Sequence, residues 1–152
     1  MSSPKIQCEI LMNDLAEFSE KMLRLHGEFH PYGGYLNKDE LVVQVGVSPE
    51  IRWESDKQRM DALLSFFREL AKEKAPLAFG IVTNVDLRDG NQTSNAIKIF
   101  LEHVSGYCAD IFMRYDIDDD GIVSIVNVTA QQGVPNIFPK EGLNNSSFGQ
   151  RQ

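Results

Sequence analysis

Four stretches rich in β-branched and aromatic residues follow one another between residues 78 and 128, separated only by short polar, glycine-bearing breaks. No other feature constrains the fold as much. Strands joined by turns of a few residues leave no length for a crossover, so each must lie antiparallel beside the next. The stretches are residues 78–87, 96–104, 108–115 and 122–128. The breaks are a polar loop at 88–94 with Asp89-Gly90-Asn91 at its tip, then Ser105-Gly106, then residues 116–121. In the second stretch Ile97, Ile99, Leu101 and His103 share one face, because side chains alternate along a strand. The second half of the chain therefore predicts a meander.

Upstream, two segments have helical spacing. Leu11, Leu15, Phe18, Met22 and Leu25 recur at intervals of three and four. Ser3-Pro4 offers a cap and a proline at the first helical position, and Gly27 offers a stop. A second helix is marked by the capping box Ser55-x-x-Gln58, an apolar face of Met60, Leu63, Leu64, Phe67, Leu70 and Ala71, and Pro76 after its polar end. Between the helices, Pro31, Gly33 and Gly34 break helical structure and lead into a short strand. Asn37-Lys38-Asp39-Glu40 is a turn, and Leu41-Val42-Val43-Gln44-Val45-Gly46-Val47 a strand that Ser48-Pro49 ends. The predicted order is α-β-β-α-β-β-β-β. Each helix has one apolar stripe, so the expected fold is a two-layer α+β domain, its mostly antiparallel sheet covered by both helices on one face. Residues 1–133 make one domain of ordinary size. Residues 134–152 show no periodicity and are expected to form an irregular tail, loose or draped on the surface.

Composition narrows the function classes. Hydrophobic residues are 42% and charged residues 24% of the 152, enough for a core without metal or disulfide staples. The net charge of −7, with no Lys/Arg run, speaks against nucleic-acid binding. The N-terminus lacks a signal-peptide pattern, and no apolar stretch reaches the roughly 20 residues of a membrane span. A soluble, cytoplasmic protein without cofactor is expected, with Cys8 and Cys108 as buried free thiols.

Two clusters have the residue types of chemistry. Asp116-Ile117-Asp118-Asp119-Asp120-Gly121 places carboxylates at positions 1, 3 and 5 and glycine at 6, as in a calcium loop. Position 12, however, is Asn127 where a bidentate Glu belongs, and the residues after Gly121 have strand character. An acidic hairpin turn is the expectation, with Asp116, Asp118 and Asp120 as weak metal candidates. The second cluster is Glu102-His103 with His26, Glu28 and His30, which includes the pieces of an acid–base pair or a metal site. Glu102 and His103 are expected on opposite faces of a strand, so only one can serve a given site. Nucleophile elbows, His-Glu-x-x-His and phosphate loops are absent from the sequence. Trp53 is expected to lid the core, and Phe66 to be partly exposed.

Three stretches carry a family resemblance. Glu28-Phe29-His30-Pro31-Tyr32-Gly33-Gly34-Tyr35-Leu36 is similar to an "EF-aromatic-P-aromatic" hairpin of small uncharacterised bacterial α+β proteins. Ala96-Ile97-Lys98-Ile99-Phe100-Leu101-Glu102-His103 resembles their "AI…LEH" strand, and Ile111-Phe112-Met113-Arg114-Tyr115 falls where they have another strand ending in an aromatic. Some of those proteins sit beside secreted toxins and look like immunity proteins. The resemblance, together with the acidic charge and the absence of catalytic motifs, points to a non-enzymatic protein-binding module of bacterial cytoplasm, an immunity-type inhibitor, and the acidic surface suits a basic toxin partner. It brings no enzymatic residues with it. Two alternatives stand beside it: a small metal-dependent or acid–base enzyme using the His26/Glu28/His103 region, and a homodimeric scaffold whose element order resembles roadblock and profilin-like proteins.

Overall fold

The computed structural model describes residues 2–46 and 53–139. Val47, the Ser48-Pro49 strand end and the tail from residue 140 lie outside them. The element order is α1 (Pro4–His26), β1 (Tyr32–Leu36), β2 (Val42–Val45), α2 (Asp56–Glu73), β3 (Ala78–Asp89), β4 (Gln92–His103), β5 (Cys108–Ile117) and β6 (Val123–Gln132). The strands make one antiparallel sheet in the order β2-β1-β3-β4-β5-β6. This is the α+β class and element order that the sequence predicts. No described helix is long and apolar enough to cross a membrane.

The helix ends follow local chemistry. The Ser3 side chain accepts from the Ile6 amide, Pro4 occupies the first turn, and Gly27 closes α1 in the left-handed region with its amide on the Leu23 carbonyl. In α2 the Ser55 hydroxyl accepts from the Gln58 amide while the Gln58 side chain reaches back to the Glu54 amide. The stripe of α1 departs from its prediction at one end. Leu23 is buried and Leu25 is 61% exposed, because over a long helix the 3.6-residue period carries the inward direction away from Leu25. Ser19 is also fully buried there, its hydroxyl satisfied by the Ala16 carbonyl.

The two helices do not share a face of the sheet. Leu11, Leu15 and Leu23 of α1 pack with Ala78, Val82, Ile97, Ile99 and Leu101. Leu63 and Phe67 of α2 pack with Phe79 and Ile81, the intervening residues of β3, which point the other way. This corrects the expectation of both helices on one face: a single stripe on each helix is satisfied equally by opposite faces, and β3 is apolar on both sides. Gly33 and Gly34 make this possible. They lie within β1 rather than merely breaking a helix. A Cβ on Gly34 would meet Leu15 of α1 at 3.1 Å, and one on Gly33 would meet the Phe67 ring of α2 at 3.0 Å. Successive glycines thus let a helix approach each face of one strand.

The hairpins are longer than expected. The predicted polar loop at 88–94 is mostly strand: Asp89 pairs with Gln92 around a Gly90-Asn91 turn. Polar residues fit there because the sheet extends past its helices and both faces meet solvent. Residues 134–139 have neither helix nor strand, yet Ile137 is buried and the Phe138 ring lies 5.1 Å from that of Phe79. The packed unit therefore extends beyond residue 133.

Candidate functional site

Glu102 and His103 end β4 on opposite faces, as alternation requires, and each is buried among structural partners. On the α2 face the Glu102 carboxylate accepts from three consecutive amides, Asn136, Ile137 and Phe138. It fastens the segment after β6 across the sheet. On the α1 face the Ser105 amide donates to His103 Nδ1 at 3.0 Å, which leaves the proton on Nε2 to donate to Gln7 Oε1 at 2.6 Å. The Gln7 amide then donates to Glu40, which also accepts from Ser2. Burial holds the His103 pKa below its ordinary value, and the Gln7 and Ser2 donors hold the Glu40 carboxyl below the usual carboxylate range.

His26, Glu28 and His30 are exposed near the C-terminal end of α1. Gln7, the partner of His103, sits nineteen residues before His26 on the same helix, roughly 28 Å away at helical rise. The structure therefore does not bring His26 and Glu28 together with His103. His30 pairs instead with Asp56 at 3.1 Å. The acidic turn is a hairpin: Ile117 pairs with Val123, and the Asp118 Oδ1 accepts from the Asp120 and Ile122 amides. Among the described residues no group of three or more His, Cys, Asp or Glu could hold a metal ion, so Asp116, Asp118 and Asp120 do not gather into one. Cys8 and Cys108 are free and buried, their thiols pushed up to about 11 and about 12 mainly by desolvation.

A cleft of about 250 Å³ opens on the α2 face. Met60 and Leu64 of α2 form one wall, Ile81, Thr83, Lys98 and Phe100 the floor, Asp110 of β5 the far side, and Val134 and Asn136 the rim. The rim is held from two directions. Glu102 takes its amides, and the Arg68 guanidinium of α2 donates to the Asn136 carbonyl at 2.9 Å and to its side-chain oxygen at 2.6 Å. Asp110 has a buried carboxylate oxygen, Oδ1, with no hydrogen-bond partner among the described residues. Arg114 Nε, on the same face of β5, is likewise buried with no acceptor among them. The Lys98 ammonium stands 5.9 Å from the Phe112 ring centroid. Sequence reading missed Asp110, Arg68 and the rim. An Asp between apolar residues on an inner strand was the one signal available, since such a residue is costly to bury unpaired.

The fold and the cleft define an α+β protein with a preformed apolar recess lined by an acidic residue that has one buried oxygen unmatched among the described residues. No protein-family model, curated protein or solved structure matches the chain.

Proposed function

We propose that this chain is a non-enzymatic protein-binding module, and that its cleft receives one anchor side chain of a partner protein. The observation that carries the reading is an apolar recess lined by Asp110, whose Oδ1 is buried with no hydrogen-bond partner among the described residues. An unmatched buried acceptor costs on the order of 1–3 kcal/mol, so the Asp110 side chain gains by turning Oδ1 toward an incoming N–H or O–H. The recess has the volume of a side chain and lies below the ~300–1,000 Å³ of typical small-molecule sites. Arg, Tyr and Trp dominate interface energetics, and each joins a large apolar body to a donor group. Met60, Leu64, Ile81 and Phe100 suit the body, and Asp110 suits the donor. The net charge of −7 favours approach of a basic protein, consistent with an immunity-type inhibitor of a basic toxin.

The test is affinity capture from the native host at low salt, run in parallel with the intact chain and with Asp110→Leu and Leu64→Glu variants of unchanged circular dichroism. A basic protein retained by the intact chain, lost with both variants and inhibited on rebinding supports the reading. Capture indifferent to both variants removes the cleft from it. Recovery of no basic protein removes its partner.

A further inference from the structure

β6 is the outer strand of the sheet, exposed along most of its length. No described residue pairs with its free edge. Outer strands usually carry charges, prolines or interruptions that prevent a second strand from adding. Val123–Gln132 has one bulge, opposite Arg114 and Tyr115, and neither proline nor charge. It falls in residues 121–139, the longest uncharged run of the chain. The opposite outer strand, β2, is only Val42–Val45 and follows Asp39 and Glu40.

The free hydrogen-bonding groups can be named. Gly133 donates to the Cys108 carbonyl at 3.1 Å, which sets the phase of the β5–β6 ladder. Hydrogen-bonded pairs recur at every second residue of an antiparallel ladder. Gln131 opposite Asp110 and Thr129 opposite Phe112 therefore turn their backbone groups toward β5. Val128, Ala130 and Gln132 turn theirs outward. Val128 is 57% exposed.

We infer that β6 pairs antiparallel with β6 of a second copy about a two-fold axis at Ala130, joining two six-stranded sheets into one. Three observations favour a second copy over a foreign strand. An uncharged strand meets itself without the repulsion that two copies of a −7 chain feel elsewhere. It offers no charge complementarity to the basic partner proposed for the cleft. Antiparallel pairing at Ala130 also sends the Asp118-Asp119-Asp120 turns to opposite ends, each roughly 35 Å from the axis. Val128 of one copy then faces Gln132 of the other. The pairing surface is the free backbone edge of β6, whereas the cleft opens on the α2 face.

Sedimentation equilibrium over the micromolar range tests the pairing on the full chain. The expected mass is twice the 17.2 kDa of one chain. Ala130→Pro removes an outward amide and leaves the β5 ladder its bonds, so it should weaken association by at least about tenfold with an unchanged far-ultraviolet spectrum. Ala130→Lys sets two like charges directly opposite each other across the axis and should also weaken association, most at low salt; it decides the matter if the proline variant does not fold. A monomer throughout the range overturns the inference. So does a dimer that survives both substitutions, which would place the interface on another surface.

Discussion

Glu102 and His103 adjoin in sequence and hold different parts of the molecule. Glu102 gives its carboxylate to three amides of the segment after β6. Hydrogen bonds to a charged group contribute more than neutral ones, and their loss leaves buried donors unmatched. Glu102→Ala should cost about 2–4 kcal/mol in urea unfolding and expose the Asn136–Phe138 amides to hydrogen exchange. A cost under about 1 kcal/mol with exchange unchanged would mean that apolar packing alone holds the segment. His103 is held neutral. Its folded pKa lies below its ordinary 6.5, so the folded state binds the proton less well than the unfolded state. The stability it contributes is complete above that ordinary value and is lost as pH falls from it through the folded pKa. The midpoint of thermal unfolding should therefore fall as pH drops below the ordinary 6.5, and His103→Gln should flatten that fall. Glu40 acts in a separate, lower window: its depressed pKa contributes stability that is lost as pH drops below the usual carboxylate range.

At the level of elements, β1 is the strand on which both helices depend. A Cβ on Gly33 would run into the Gly80 carbonyl of β3, a backbone atom that cannot yield without opening the ladder, and would press on Phe67. Gly33→Ala should cost about 3 kcal/mol or more, at the upper end of overpacking effects. Phe67→Ala, which empties the centre of the α2 face, should cost about 3–5 kcal/mol. Chemical denaturation measures both, and a near-neutral result for either would contradict the close approach of α2 to β1. The β5–β6 turn holds its acidic residues differently from a cation loop. Asp118 Oδ1 is already shared by two backbone amides, and a two-oxygen ligand at Asn127 is lacking. Calorimetric titration should find calcium affinity no tighter than about millimolar. Micromolar binding abolished by Asp118→Asn would show the turn to be a site.

For the whole molecule, the segment past β6 is part of the folded unit. Ile137 joins Leu63, Phe67, Phe79 and Ile81, and Phe138 packs against them. A chain ending at Gly133 would expose this cluster and leave Glu102 buried without its donors. Removing one side of a buried charge arrangement is strongly destabilising, so the shortened chain should lose at least about 3 kcal/mol. An unchanged denaturation midpoint would show the domain to be complete at residue 133. The same cut removes Val134 and Asn136 from the cleft rim, so partner binding should fall with it.

The sequence by itself determined the element order and which consecutive strands pair, while the joining of β1 to β3 was left to the tertiary structure. Caps at Ser3 and Ser55, the αL stop at Gly27, and short breaks between apolar stretches act over a few residues, and their outcome is local. The tightness of the turns makes the meander antiparallel, and alternation along one strand puts Glu102 and His103 on opposite faces. Tertiary structure decided everything that depends on which surfaces meet. An apolar stripe states that a helix must be covered and is silent about which face of the sheet covers it, so the opposite placement of α1 and α2 was open. It became fixed only where Gly33 and Gly34 admit Phe67 and Leu15 from opposite sides. The partners of Glu102 lie 34 to 36 residues away, and those of His103 as far as 96. Whether a Glu or a His is catalytic, exposed or a buried fastening depends on such distant donors and acceptors. Asp110 likewise reads as an ordinary polar residue until folding buries its carboxylate oxygen Oδ1 with no partner among the described residues.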